Sequence, residues 1–523
     1  MNDDRDDDGE HGHTRHSPAE RENAGEARSD ATTGSRTGDA TTGSRTDGGT
    51  TSSATSDGAA RITTGDDAAK ITTETFDDRT TSWFADADCV GASVVVTDGD
   101  DVVYERGLGS CGPDGPATTA DTPYGVGSVS KPVTASAVLR LVDDGALAFD
   151  DEIAAFLPWW DPPGEPVTVY ELLTHTSGLP ADGMEILAFG STLGIDDDGR
   201  VETWEEFRAF VTEEFDARRE PGSFAYYNSG YVALGGVIER VTGESFDDAV
   251  DRLVFDPLGV DATYDADALA EPEAATPCRS GPDGPEPTTL PGTALIDPAG
   301  GLVASPRALA SFVTAHATGE FPVESSLLDA AHHGHADWRT YADGQTSGVG
   351  YGWETTPFGD DTLVGHSGST GVSGGYAGFL RDREVGVAVG LTGRPSASPV
   401  TFARTLLADA VGRDPIGVDR DRALERAVAG LPGRYTTANG VRQATVRWTG
   451  DRLQLEFDGV GPIPAETRPL VPRSFDPDAP VFESVDDDGE VERAAFHVAD
   501  DGVTLDFGWF RFERTGDADS EAV

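Results

Sequence analysis

No part of the chain before about residue 75 can build a packed core. That stretch is Asp, Gly, Thr, Ser and Arg with few apolar residues, and ATTGSRTGD at 31–39 recurs as ATTGSRTDG at 40–48. It cannot bury enough apolar surface to offset the cost of ordering its backbone, so residues 1–75 read as a disordered, acidic, low-complexity tail. His11, His13 and His16 sit inside it and read as solvated rather than as a metal tract. Folding is expected to begin near Phe76, in a first folded unit over residues 76–415.

Beyond that point the patterning alternates between strand and helix. GASVVVTDG followed by DDVVYERG (91–107) reads as two strands around an Asp-Gly turn. SVSKPVTASAVLRLVDDG (128–145) reads as a helix with small and apolar residues on most faces, ended by Gly145. A polar, helix-rich stretch follows to about residue 260, with its clearest helix at YVALGGVIERVTG (231–243). Residues 265–298 are rich in Pro, Gly and Ala and read as a long loop. YAGFLRDREVGVAVGLT (376–392) reads as two strands around a charged turn, and SPVTFARTLLADAVG (398–412) as a helix. From about 430 to 515 the chain changes to short alternating strands separated by Asp-Gly turns, a second, all-β unit.

Charge excludes several functions. Acids outnumber bases 94 to 38, for a formal net charge of −56. Such a surface repels phosphate backbones and anionic lipid, so neither nucleic acid nor a membrane is an expected partner. Lys70 and Lys131 are the only lysines; every other basic side chain except histidine is Arg. Acid enrichment with near-absence of Lys looks like adaptation to molar salt. At about 1 M the Debye length is only about 3 Å, which screens the self-repulsion. The first residues carry no apolar run, and no stretch approaches the ~18 consecutive apolar residues of a membrane span. The expected location is the cytoplasm. Cys89, Cys111 and Cys278 are scattered, with no CxxC and no disulfide framework.

Three elements carry possible chemistry. The first is Ser128-Val129-Ser130-Lys131 at the start of a helix, where residues three apart share one face and can meet. The helix N-terminus offers free N–H groups to a developing oxyanion, and an amine in a closed pocket can take the serine proton. S-x-x-K alone is a weak pattern. Here it is strengthened by the rarity of lysine: a position that keeps Lys needs something Arg cannot do, and deprotonation is the obvious candidate. The second element is Tyr226-Tyr227-Asn228, a phenol that can relay a proton and an amide that can hold a substrate carbonyl, though aromatics before a helix are more often packing. The third is His366-Ser367-Gly368, although a lone His before Gly is more often structural.

In this order and spacing the three elements resemble the active-site motifs of the penicillin-recognising serine hydrolases. The branch is that of class C β-lactamases, D-aminopeptidases, D-alanyl-D-alanine carboxypeptidases and related esterases. VTVYELLTHTSGLP (167–180), FDPLGVDAT (255–263) and DPAGGLVASPRALASF (297–312) look like further segments of that family. The resemblance implies an α/β (α+β) fold of the β-lactamase/transpeptidase type. An antiparallel sheet from the N-terminal hairpin and the C-terminal strands is flanked by helices, a helical subdomain is inserted, and the site lies at their junction. It implies that Ser128 is the acylated nucleophile, Lys131 its proton acceptor and Tyr226 the general acid/base. Asn228 would hold a substrate amide, and the backbone N–H groups of Ser128 and Ser369 would form the oxyanion hole. His366 would occupy the usual Lys position of the K-T-G triplet, and Gly368 and Ser369 would bind substrate beside it. The sequence does not assign the first proton transfer to Lys131 or to Tyr226.

Two positions depart from the pattern: Tyr227 stands where many relatives have a small residue, and His366 replaces Lys. Loss of that charge favours D-aminopeptidase-like or esterase-like substrates over β-lactam antibiotics. The implied reaction is hydrolysis of a small amide, peptide or ester through a Ser128 acyl-enzyme, with no metal and no cofactor. The C-terminal unit looks like the lipocalin-like β-barrel attached to some archaeal serine peptidases of the family, and with the acid-rich surface suggests a haloarchaeal-type member. Its role would be homo-oligomerisation or gating of the site.

Three rival readings compete. Gly371-Val372-Ser373-Gly374-Gly375 matches the G-x-S-x-G nucleophile elbow, but the next residues, YAGFLRDREVGVAV, read as strand rather than helix. His332, His333 and His335 (HHGH) could suggest metal, yet read better as an exposed loop. A binding or scaffold protein that kept the fold and lost turnover would be expected to have lost the serine or the lysine, and both are present.

Overall fold

A computed structural model describes residues 72–517, apart from 182, 185–188, 190–191, 193–200, 282–283, 291–293, 341–344, 419, 439, 450–451, 459–464, 486–490, 500–501 and 509. The expected tail, with its repeat and His11, His13 and His16, lies almost wholly outside the described residues. The first helix is α1 (Thr73–Ala87), whose buried residues Phe76, Thr80, Trp83 and Ala87 recur at helical spacing. The expected hairpin follows as β1 (Gly91–Asp98) and β2 (Asp101–Gly109), turning at Gly99 with φ +55.

Next comes α2 (Ser130–Asp143), preceded by a tight turn over Gly127–Val129. Small side chains at Ser130, Thr134, Ala135, Ser136 and Ala137 let neighbouring elements close on it from several sides, and residues 130–139 are all buried. Gly145, with φ +69, ends the helix as expected. The helical region contains α3 (Val169–Leu173), α4 (Trp204–Glu214) and α5 (Asn228–Thr242). Thr168 and Thr203 each form a capping box with a Glu three residues on, which explains where α3 and α4 start.

Residues 265–298 are not one long loop. Cys278–Gly281 pairs with Gly284–Pro287 as a small hairpin, and Asp297–Gly300 forms the short helix α6. Main-chain pairing over so few residues needs no β-branched run, so composition did not signal it. Then come α7 (Pro306–Ala317) and α8 (Ser325–Ala331). They are followed by β3 (Ala336–Thr340), β4 (Thr346–Val349), β5 (Glu354–Phe358), β6 (Asp361–Ser369), β7 (Ser373–Leu380), β8 (Val385–Thr392) and α9 (Pro399–Ala410).

The eight strands form one sheet in the order β2-β1-β8-β7-β6-β5-β4-β3, antiparallel throughout. Gly91 pairs with Thr392 across β1 and β8, which brings the two ends of the first folded unit's sheet together. Both faces of the central strands are covered. On one, Val94, Val96, Val387 and Val389 meet α1 and α9, where Trp83 stacks on Phe402 at 4.3 Å between ring centroids. Truncating such a buried aromatic to Ala costs about 3–5 kcal/mol. On the other face Val95, Ala377, Phe379 and Ala388 join a core that continues through α7 into α2 and α5. The helical region thus packs beside the sheet, and β6 runs past the turn before α2.

The C-terminal unit is a closed eight-stranded barrel. Its strands are β9 (Gly433–Thr437), β10 (Gln443–Trp448), β11 (Leu453–Phe457), β12 (Glu466–Ser474), β13 (Val481–Val485), β14 (Val491–Ala499), β15 (Gly502–Phe507) and β16 (Phe510–Gly516). Tyr435 of β9 pairs with Arg514 of β16, and this pairing closes the barrel. Tyr435, Leu455, Phe482, Phe496, Leu505 and Phe512 form its buried core.

Candidate active site

The turn Gly127–Val129 places Ser128 just ahead of α2. Gly127 has φ +57, and a Cβ there would press on the backbone of Ser369; a Cβ at Gly368 would collide with the Val126 carbonyl. Two glycines therefore let the end of β6 lie directly against the Ser128 backbone. The N–H groups of Ser128 and Ser369, expected as an oxyanion pair, stand on these two touching segments.

Lys131 lies one turn further along α2 and is fully buried. Its Nζ donates to the Ser128 Oγ at 3.0 Å and to the Ala299 carbonyl of α6 at 2.7 Å. Thr134 donates to the neighbouring Pro298 carbonyl at 2.7 Å, so α6 is docked on α2 by two adjacent carbonyls. A backbone carbonyl carries no sequence signature, and Ala299 was not among the expected site residues. Tyr226, half-buried, faces the same amine: Lys131 Nζ sits 4.8 Å from its ring centroid.

His366 is buried on β6, its ring 6.3 Å from that of Tyr226. Its Nδ1–H donates to the Ser367 carbonyl at 2.6 Å, which leaves Nε2 as the acceptor nitrogen. Burial first, and then the Lys131 charge, pull the imidazole pKa down to about 3, so His366 is neutral.

Ser128, Tyr226, His366, Ser367, Gly368 and Ser369 line one cavity of about 700 Å³. Lys131 is sealed beneath it. Asn228 is buried at the first position of α5 and, like Lys131, is not among the residues lining the cavity. The same cavity carries charge that sequence reasoning did not find: Arg339 on β3, Glu354 on β5 and Arg404 on α9, with Trp338 also lining it. Burial pushes the Glu354 carboxyl up to about 7, against the opposing pull of Arg404, Arg339 and Lys131. These residues come from an edge strand and a distant helix, with no motif to mark them.

The rival sites dissolve. Ser373 is buried at the start of β7, and its hydroxyl donates to the Leu391 carbonyl across the sheet at 3.1 Å. It stands in a strand, not on an elbow. His332 is not in an exposed loop: it is buried, with its Nε2 3.1 Å from His316 Nδ1. His333 is exposed, and His335 is half-buried against Tyr351. Among the described residues, no group of three or more His, Cys, Asp or Glu could hold a metal ion, and no helix is long and apolar enough to cross a membrane.

A family model described as Beta-lactamase matches residues 75–412. The chain belongs to the beta-lactamase family. A second model, the Pab87 octamerisation domain, matches residues 421–513, the segment that forms the barrel. Esterase EstB of Burkholderia gladioli is 37% identical over 215 residues, which are 38% of this chain and 53% of the esterase. The match therefore spans about half of that relative. Penicillin-binding protein 4 of Amycolatopsis lactamdurans is 31% identical over 288 residues, 51% of this chain and 70% of the relative. Among solved structures, the octameric penicillin-binding protein homologue from Pyrococcus abyssi aligns with a TM-score of 0.72 and 29% identity, covering 84% of this chain and 99% of its own. A D-stereospecific amidohydrolase from Streptomyces sp. shares the fold, with a TM-score of 0.53 and 22% identity over 64% of this chain and 98% of its own. Family membership supports a hydrolase in general terms. It also accounts for the antiparallel sheet and the flanking helices, while the barrel matches the second model.

Proposed function

We propose that the chain is a serine hydrolase that cleaves an amide or ester bond through an acyl-enzyme on Ser128. The observation that carries this reading is the fully buried Lys131, with Nζ 3.0 Å from Ser128 Oγ beneath a cavity shared with Tyr226. Once it has given up its own proton, Lys131 takes the Ser128 proton as Oγ attacks the substrate carbonyl. The tetrahedral oxyanion points to the N–H groups of Ser128 and Ser369. Tyr226 protonates the departing amine or alcohol; in the second half-reaction its phenolate withdraws a proton from water as the water attacks the ester, and Lys131 returns its proton to the departing Ser128 Oγ. Asn228 supports the substrate amide, and neutral His366 offers an acceptor without adding charge.

The substrate class we favour is a small peptide, a D-amino-acid derivative or a short ester. The EstB relative and the amidohydrolase neighbour are consistent with that range. One observation favours a second reading, substrates bearing a carboxylate, as in a β-lactamase. His366 lacks the expected cationic charge, yet Arg339 and Arg404 line the same cavity. The hydrolase domain would span 76–415 and the barrel 430–515. The barrel, which matches an octamerisation domain, would assemble copies of the chain. Its exposed Val441, Trp448, Val471, Val485, Val491 and Phe510 are apolar surface available for that purpose. The charge of −56 suits a cytoplasm of molar salt.

The test is intact-mass analysis after a fluorophosphonate probe in molar KCl, on the wild type, Ser128→Ala and Ser373→Ala. A label lost only in Ser128→Ala is expected. A label lost only in Ser373→Ala, or none on folded wild type, would refute the assignment. Turnover of D-aminoacyl amides and short esters against nitrocefin then separates the two substrate readings.

A further inference from the structure

We infer that His175 is the positioning residue that holds Tyr226 over Lys131; this inference rests on the reading of Ser128 as the nucleophile. His175 lies in the LLTHTSGLP segment, after α3, and grips the chain on both sides of Tyr226. Its backbone carbonyl accepts the Ala225 N–H at 2.9 Å, and its side-chain Nδ1 accepts the Tyr227 N–H at 3.1 Å. The residues immediately before and after Tyr226 are therefore fixed by one residue. The imidazole also packs against the Tyr226 ring at 4.6 Å and 31°, and against Tyr231 at 5.1 Å. Flanking bonds extend the grip: Gly222 N–H donates to the Thr176 carbonyl and Arg219 N–H to the Gly178 carbonyl.

Three features of His175 fit a dedicated role. It is buried, at 3% exposure. Its φ is +56, a left-handed conformation uncommon for a side-chain-bearing residue, and strain of this kind concentrates at functional sites. Its hydrogen-bond role is also fixed. Nδ1 accepts, so the ring proton is on Nε2; a second proton would set an Nδ1–H donor against the Tyr227 N–H donor. Burial, with Lys131 and His366 nearby, keeps the ring in the neutral form this bond needs. Without the acceptor, the Tyr227 N–H is left unsatisfied and the loop carrying Tyr226 loses one of its two clamps.

The experiment compares three variants with the wild type, using p-nitrophenyl butyrate turnover and fluorophosphonate labelling of Ser128. His175→Asn places Oδ1 where Nδ1 stood and tolerates the left-handed backbone. His175→Gln moves the acceptor outward. His175→Phe keeps the ring and removes the acceptor. A displacement of about 1 Å at a catalytic group costs about 100-fold. The expected result is a kcat lower by roughly 10- to 100-fold in the Phe and Gln variants with KM within about twofold, and recovery to within about threefold in Asn. The inference is overturned if folded Phe or Gln variants keep wild-type kcat, or if Asn is as impaired as Gln. If wild-type protein takes no label on Ser128, the nucleophile assignment fails, and the role of His175 with it. If the wild type is labelled and the variants turn over normally, only the role of His175 fails.

Discussion

Replacing His332 with Gln tests how the back of α2 is held. Ser136 of α2 donates to the Pro132 carbonyl at 2.8 Å and lies 3.1 Å from His316 Nε2. With the hydroxyl proton committed to Pro132, His316 Nε2–H donates to Ser136 Oγ, and His316 Nδ1 accepts from His332 Nε2–H. Both rings are neutral. Burial pulls His332 down from 6.5 to about 3, with Arg381 adding to the effect, and it holds His316 well below its ordinary value. A depressed folded-state value means that the unfolded chain binds the proton first. Stability is therefore complete above pH 6.5 and is lost as pH falls toward 3. Each pH unit in that window costs about 1.4 kcal/mol for one ring, so His332 alone accounts for a loss of about 2 kcal/mol between pH 7.5 and 5. Gln keeps a donor at the Nε2 position and cannot ionise. It forfeits edge contacts with Trp353 at 6.1 Å and Phe379 at 5.0 Å, worth about 1–2 kcal/mol together. His332→Gln is then expected to be less stable than wild type at pH 7.5 and equal to it near pH 5, because His316 titrates in both proteins and cancels. Urea unfolding followed by tryptophan fluorescence measures the gap. A gap that stays constant between pH 7.5 and 5 would refute the buried-neutral assignment.

Lys131→Arg is expected to lower kcat/KM for a p-nitrophenyl ester by about 10³, because a guanidinium cannot deprotonate and does not fit a fully enclosed site. Activity within tenfold of wild type would remove Lys131 from the proton path. Gly368→Ala drives a Cβ into the Val126 carbonyl and toward the Ser128 and Val129 nitrogens. The expected loss in kcat is about 10²–10³, that of one oxyanion donor, alongside about 1–3 kcal/mol of stability. A burst assay on the folded variant decides it, and wild-type kcat would mean that the close approach of β6 to Ser128 is dispensable.

How much of this was legible in the sequence depends on how local each contact is. The Asp-Gly hairpin of β1 and β2, the helix ended by Gly145 and the charged turn between β7 and β8 are set by neighbouring residues, and the pattern announces them. Strands β3 and β4 are short, polar and near the sheet edge, as in Ala336–Thr340 and Thr346–Val349. They are strands because β5 is beside β4 and β4 beside β3, and pairing of that kind leaves little trace in composition. The same division runs through the site. Ser128 and Lys131 are one helical turn apart, so their meeting follows from geometry alone. Ala299, 168 positions away, contributes a carbonyl. Arg339, Glu354 and Arg404 converge only through the sheet and α9.

Polarity misled the reading where a polar side chain is satisfied inside the protein. HHGH reads as surface because histidine is usually exposed or half-exposed, yet His332 finds His316 as a partner and is buried among aromatics. Ser373 matches a catalytic pattern, yet its hydroxyl is taken by the Leu391 carbonyl. Lysine usage, by contrast, was informative through scarcity. In a chain that meets its surface needs with Arg, only Lys70 and Lys131 are kept, and Lys131, the one lysine among the described residues, is fully buried against Ser128. Such an argument uses neither motif nor periodicity. It works because the solvent-facing composition of this chain is so strongly biased that a buried exception stands out as a candidate site.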